Sequence, residues 1–356
     1  MNNLHDRFIL KRYKKFLPVT DKTLLYSLGE GGTPLVRSRS LENEIGAESV
    51  YFKLELSNPT GSFKDRGMIM AVSKAYENGA KAIICASTGN TSASASAYAA
   101  KFDLESYVIV PRGFIAMGKL AQAVVYGAKI ISIDGSFDDS LNIAIALEKN
   151  NNLTLVNSVN PDRIDGQKTG AFEIVDELGF APDILCIPVG NAGNITAYWK
   201  GFNEYLNAKI SKKLPMMWGF QAAGAAPIVD GKKVLNPSTI ATAIRIGNPA
   251  SWDSALIARD DSSGLIDSVT DDEILAAYQK IAREEGVFGE PACAAPIAGL
   301  LKKKNQGYDF SGQNIVCVIT GSGLKDPDTA LSIEADKIEV SADIKEIANK
   351  LNWQYE

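Results

Sequence analysis

The stretch AIICASTGNTSASASAYAAKFDLESYVIVP, residues 82–111, decides the fold. A run of apolar, β-favouring residues gives way at Ser87 to a turn of small polar residues. The helical pattern TSASASAYAAKF follows, then a second apolar run, SYVIVP. Strand, helix, strand without a hairpin signal is the pattern of parallel α/β construction. The alternation extends outward in both directions. Upstream lie SVYFKLE (49–55) and the helical DRGMIMAVSKAYENG (65–79). Downstream come KIISID (129–134), SFDDSLNIAIALEKN (136–150), DILCIPV (183–189), MMWGFQA (216–222) and IVCVIT (315–320). The expected fold class is α/β, with open, mostly parallel twisted sheets flanked by helices. In such sheets ligands bind beyond the carboxyl ends of the strands, so the loops that follow the strands are where chemistry is expected.

The chain of 356 residues is long enough for about two domains. A first α/β block spans residues 62–160, and a second begins near Pro161. The last stretch, from about Ser332, reads as an edge strand followed by the amphipathic helix ADIKEIANKL. A net charge of −5 and the lack of a long basic stretch argue against nucleic acid as a partner. No apolar run reaches the eighteen or so residues of a membrane span. The basic segment around residues 6–16 reads as a first surface helix from Asp6 to Phe16, stopped by Pro18. Asp6 and the lack of an apolar core argue against a targeting signal, so a cytoplasmic protein is expected. Cys85, Cys186 and Cys317 sit in strand-like runs, and none of the four cysteines, Cys293 included, has metal-ligand spacing, so they read as buried small hydrophobes. A single histidine, His5, all but excludes Ser-His-Asp catalysis and His-ligated metals.

Four segments carry the candidate chemistry. In NPTGSFKDRG (58–67), turn residues lead into a helix starting near Ser62, which places Lys64 in the first turn. There the positive end of the helix dipole disfavours an ammonium, and a lowered pKa makes lysine a nucleophile and base. The alternative is a solvated lysine paired with Asp65. STGNT (87–91) offers hydroxyls, an amide and free N–H groups at a helix start, an arrangement suited to an anion or simply to a tight turn. GNAGN (190–194) follows a strand and opens a helix, so it suits a phosphate. It lacks the Lys and Ser/Thr of a P-loop, and a plain turn is the alternative. TGSGLKD (320–326) puts Thr320 at a strand's carboxyl end.

These segments, with NSVNPDRIDGQKT (157–169) and TAIRIGNPASW (242–252), resemble the fold-type-II pyridoxal-phosphate enzymes, and among them the threonine synthases. The likeness runs in register from SLGEGGTPL at Ser27 to Pro327. It implies a large cofactor-binding domain of residues 1–61 and 161–356 with a small mobile α/β domain, 62–160, inserted in it. It also implies pyridoxal 5'-phosphate as cofactor, held covalently by Lys64. Asn90 would bond its phenolic oxygen, Gly190, Asn191, Ala192, Gly193 and Asn194 would cradle its phosphate, and Thr320 would face its pyridine nitrogen. The implied substrate is O-phospho-L-homoserine, converted with water to L-threonine and phosphate. Its carboxylate would lie on Ser87, Thr88 and Thr91. Its phosphate would meet Lys119, Asn157, Ser158 and Arg163, with help from Thr91 and Asn191; without the resemblance, Lys119 and Arg163 read as solvated surface charge. A homodimer is implied as well. The nearest competing reading is a threonine or serine dehydratase of the same fold, which needs no second phosphate site. A non-catalytic pyridoxal-phosphate-binding protein would be expected to lose Lys64 or GNAGN. A nucleotide-dependent dehydrogenase lacks its full glycine fingerprint here.

Overall fold

The computed structural model describes residues 8–112, 117–334 and 336–355. Among these residues ten strands form two sheets: β1 (Leu35–Arg37), β2 (Ser49–Leu54), β3 (Ala82–Ala86), β4 (Glu105–Pro111), β5 (Lys129–Ile133), β6 (Leu153–Leu155), β7 (Ile184–Pro188), β8 (Met216–Ala222), β9 (Leu265–Val269) and β10 (Asn314–Ile319). The larger sheet has the order β1-β2-β10-β7-β8-β9, and the smaller β5-β4-β3-β6. Every pairing is parallel except that of β1 with β2. In chain order, the whole smaller sheet is made between β2 and β7. The chain up to Asp326 forms one compact unit and Pro327–Glu356 a second.

The central strands are covered on both faces, which is why they read as unbroken apolar runs. All five residues of β3 and all five of β7 are buried, whereas β5, at a sheet edge, has no buried residue. The four cysteines are free and buried. Among the described residues no helix is long and apolar enough to cross a membrane.

Three expectations are corrected. The N-terminal segment is not a surface helix: a short helix, Ile9–Arg12, leads into a 3-10 turn, Lys14–Phe16, and Ile9, Leu10 and Tyr13 lie in the main core beside Phe172. Asp6 lies outside the described residues. No edge strand forms after Ser332 among the described residues, although the amphipathic helix does, as Ile344–Leu351. Ser62 does not cap the helix that follows it. That helix begins at Lys64 itself, with Phe63 at the cap position.

Candidate active site

Lys64 stands where two loops are stitched together. Phe63 N–H donates to the carbonyl of Thr320 at 2.9 Å, and Ser322 N–H donates to that of Gly61 at 2.8 Å. Gly61 makes the turn with a left-handed φ of 84°, which a side chain would strain. The start of the helix Lys64–Glu77 is then fixed by its next two residues. Asp65 accepts from Thr60 N–H (2.7 Å), Thr60 Oγ1 (2.6 Å) and Ser94 Oγ (2.6 Å), so it belongs to the scaffold and is no partner for Lys64. Arg66 is buried in a network with two carboxylates. Its Nε and Nη2 donate to Glu55, and its Nη1 and Nη2 to Glu173, at 2.6–2.8 Å. Lys53 Nζ reaches Glu173 at 2.8 Å. Burial pushes the Glu173 carboxyl up, but Arg66 and Lys53 more than offset it and hold it below the usual range.

The Lys64 side chain is half-buried, and its Nζ lies 4.1 Å from the centroid of the Phe63 ring. Its pKa is lowered to about 7, first by desolvation and then by the charge of Arg163, against the opposing pull of Glu290. The lowering anticipated from helix position is therefore present, with burial and Arg163 as its principal causes.

Arg163 reaches this place through two glycines. A Cβ at Gly67 would lie 2.7 Å from the carbonyl of Arg163, and one at Gly166 would lie 2.0 Å from that of Arg66. The helices Lys64–Glu77 and Pro161–Gln167 thus touch backbone to backbone. Arg163 is 1% exposed, which overturns its reading as solvated surface charge. Its Nη1 donates to the Val156 carbonyl at 3.1 Å, while Nε and Nη2 have no partner among the described residues. Burial lowers its pKa to about 10. A buried guanidinium whose Nε and Nη2 donate to nothing among the described residues is set to receive an anion.

The GNAGN loop has the same character. The helix Gly193–Asn207 starts after Ala192, whose φ of 64° is left-handed, and no side chain caps it. Both amide atoms of buried Asn194 are unpartnered. The loop is backed by TAIRIGNPASW: a Cβ at Gly190 would lie 3.0 Å from Ile244 Cα, and Ala250 and Ser251 N–H donate to the Oδ1 and carbonyl of Asn191 at 3.3 and 3.1 Å.

The loop from Ser87 to Thr91 is half-buried and leads into the helix Asn90–Lys101, again without a side-chain cap. Asn157 pairs both amide atoms with the main chain of Ala86 at 2.9 Å and so pins the end of β3 where that loop begins. Ser158 is half-buried. Lys119 lies on the helix Met117–Val125, and its side chain lies outside the described residues. Thr320 is buried, its hydroxyl 3.5 Å from Cys293 Sγ. The thiol is held beside Gly321, and burial pushes its pKa up to about 12.

Two residues at this site went unread in the sequence. Glu290, 4% exposed, takes the amide of Asn90 on its carboxylate. Lys325 donates to the carbonyl of Thr60 at 3.0 Å and to Gln122 Oε1. The "EP" at 290–291 carries a helix-start signal in its proline, but nothing local marks the acid as a site residue.

Parallel sheets, a lysine whose amine titrates near pH 7 and uncapped, donor-rich loops at two helix starts fit an enzyme that holds a phosphorylated carbonyl cofactor. The unpartnered Asn194 amide and the uncapped helix start behind it fit the phosphate of pyridoxal 5'-phosphate, and Lys64 fits its aldehyde. The family model described as pyridoxal-phosphate dependent enzyme matches residues 26–321. A threonine synthase of Halalkalibacterium halodurans is 60% identical over 326 residues, 92% of each chain. One from a Synechocystis species is 54% identical over 350 residues, covering 98% of this chain and 91% of its own. Among solved structures, maize serine racemase superposes with a TM-score of 0.69 at 22% identity, covering 82% of this chain and 89% of its own, which shows the shared fold. The chain belongs to the pyridoxal-phosphate-dependent enzymes and, within them, to the threonine synthase family.

Proposed function

We propose that this enzyme converts O-phospho-L-homoserine and water to L-threonine and phosphate. The observation that carries the reading is the pairing of Lys64, whose amine titrates near pH 7, with a buried Arg163 whose Nε and Nη2 are unpartnered among the described residues. A proton carrier and a dianion receptor sit side by side, as a substrate bearing both an acidic Cα–H and a phosphate requires.

When bound, pyridoxal phosphate supplies an electron sink for the charge left as protons leave carbon. Gly190, Asn191, Ala192, Gly193 and Asn194 would hold its phosphate, Asn90 its phenolic oxygen, and Thr320 would face its ring nitrogen. A hydroxyl at that last position does not keep the ring firmly protonated, so the sink is a mild one. Ser87, Thr88 and Thr91 receive the substrate carboxylate. Arg163, Lys119 and Ser158 receive the substrate phosphate, with Thr91 and Asn191 beside them. Asn157 contributes by holding Ala86, since its own amide is already paired.

Lys64 takes the proton from Cα. A second proton leaves Cβ as phosphate departs from Cγ, and Cγ is reprotonated. Water then adds at Cβ, and Lys64 returns a proton to Cα. No histidine is at hand in the described site, so Lys64 serves as the shuttle. Residues 62–160 act as a small domain that closes to exclude water early, a reading supported by the placement of all four strands of the smaller sheet in that span. We place the enzyme in the cytoplasm as a homodimer. Incubating the protein with pyridoxal phosphate and O-phospho-L-homoserine tests the proposal. Phosphate and threonine in equal amounts are expected, and 2-oxobutyrate from threonine without phosphate release would move the chain to the dehydratases.

A further inference from the structure

Glu290 has no part in the scheme above, yet it is a buried acid whose charge is felt at Lys64. It stands at the cap position of the helix Pro291–Asn305, but its carboxylate does not cap that helix. Among the described residues no cation comes within salt-bridge distance of it. Both carboxylate oxygens instead accept from one atom, Nδ2 of Asn90, at 3.2 and 3.1 Å. The backbone is shaped to keep the carboxylate there. Glu290 N–H donates to the carbonyl of Gly321 at 2.9 Å. A Cβ at Gly321 would lie 2.6 Å from Glu290 Oε1, so only a glycine lets the carboxylate lie against the strand end beside Thr320.

An asparagine amide is nearly symmetric in shape, and its neighbours alone decide whether it turns N–H or carbonyl to a given side. An ionised carboxylate is an acceptor only. We propose that Glu290 is a positioning residue: it draws the NH2 group of Asn90 to itself and so leaves the second N–H of that group for the cofactor's phenolic oxygen. The proposal rests on the reading of Asn90 as a cofactor contact. Released from Glu290, Asn90 is free to present its carbonyl, which repels an anionic oxygen. Burial raises the Glu290 carboxyl above the usual range, and the hydrogen bond from Asn90 and the charges of Lys325 and Lys64 pull the other way, toward the ionised, accepting form.

The test is a double-mutant cycle read by the affinity for pyridoxal phosphate and by the absorption maximum of the bound cofactor, neither of which needs turnover. Glu290→Ala is expected to weaken cofactor binding about tenfold, the scale of one hydrogen bond made in a protected site. Glu290→Gln keeps one acceptor oxygen and is expected to weaken it about threefold; it also keeps the cycle readable if the alanine variant fails to fold. Both should shift the absorption maximum in the same direction as Asn90→Ala. In an Asn90→Ala background, either Glu290 variant is expected to change affinity by less than about twofold, as coupled groups do. Glu290 effects that persist undiminished in that background, or a Glu290→Ala protein that binds cofactor as the parent does, would overturn the proposal. An Asn90→Ala variant with unchanged affinity and absorption would instead overturn the reading of Asn90, and the proposal with it.

Discussion

Glu173→Gln is the substitution whose effect the structure lets us size. Glu173 is 3% exposed and accepts from Arg66 and Lys53, both 1% exposed or less. With Glu55 the cluster holds two carboxylates and two cations. Neutralising Glu173 leaves one positive charge uncompensated in the interior, and breaking a buried pair in this way costs about 3–5 kcal/mol. For 356 residues, with an unfolding entropy of about 2.1 cal/mol/K per residue, that is a fall in Tm of about 4–7 °C. Differential scanning calorimetry of the cofactor-free protein measures it. Restoring charge balance in the double variant Glu173→Gln with Lys53→Met should recover at least half of the loss. The reasoning is refuted if the single variant melts within about 1 °C of the parent, or if the second substitution makes matters worse. Because Arg66 lies two residues from Lys64, the single variant should also bind cofactor more weakly, which equilibrium dialysis reads.

Other expectations follow from the site. With its pKa lowered to about 7, the Lys64 amine is protonated below that pH and neutral above it. In the cofactor-free protein its acylation by an amine-selective reagent, followed by peptide mass spectrometry, should rise with pH about a midpoint near 7, while exposed lysines react only at far higher pH. Lys64→Ala should abolish both turnover and the visible absorption of lysine-bound cofactor; retention of both would remove this lysine from the mechanism. Arg163→Met should lower kcat/KM for O-phospho-L-homoserine by about a hundredfold or more, on the scale of a lost charge-assisted contact, and leave cofactor affinity near its parent value. Ala192→Gly relieves a left-handed backbone worth about 1 kcal/mol and should raise Tm by about 1–2 °C without weakening cofactor binding.

The sequence made the buried strands easy to read, because parallel strands covered on both faces leave apolar runs such as AIICA and ILCIP. It concealed the others. β1 and β6 are three residues long, too short for a periodic signal, and β9, LIDSV, is broken by Asp267 and Ser268 and has only its last residue buried. The segment Asp6–Phe16 reads as a surface helix because four helical residues, Ile9–Arg12, cannot show which face is covered. At the site, the motif loops and Lys64 stand out as segments, and turn chemistry makes them visible. Glu290 and Lys325 act across two hundred residues of chain or more, and contacts at that separation leave no local trace. Arg163 was legible as a residue but not as a buried one. Its burial depends on Gly67 and Gly166 meeting, a pairing that spacing does not reveal.

The position of β10 sets an order of events during synthesis. The last strand of the chain lies inside the larger sheet, between β2 and β7, and the loop leaving it stitches to Gly61 and Phe63. Until a ribosome has released residues through Ser322, the turn carrying Lys64 has no partner to close against, and β2 and β7 have a gap between them. The nascent protein therefore emerges with the smaller sheet able to form from contiguous chain, while the larger one waits for its central strand. Cofactor capture becomes a report that synthesis has passed β10: a truncated product ending anywhere before that strand should emerge colourless, however well its first half has folded.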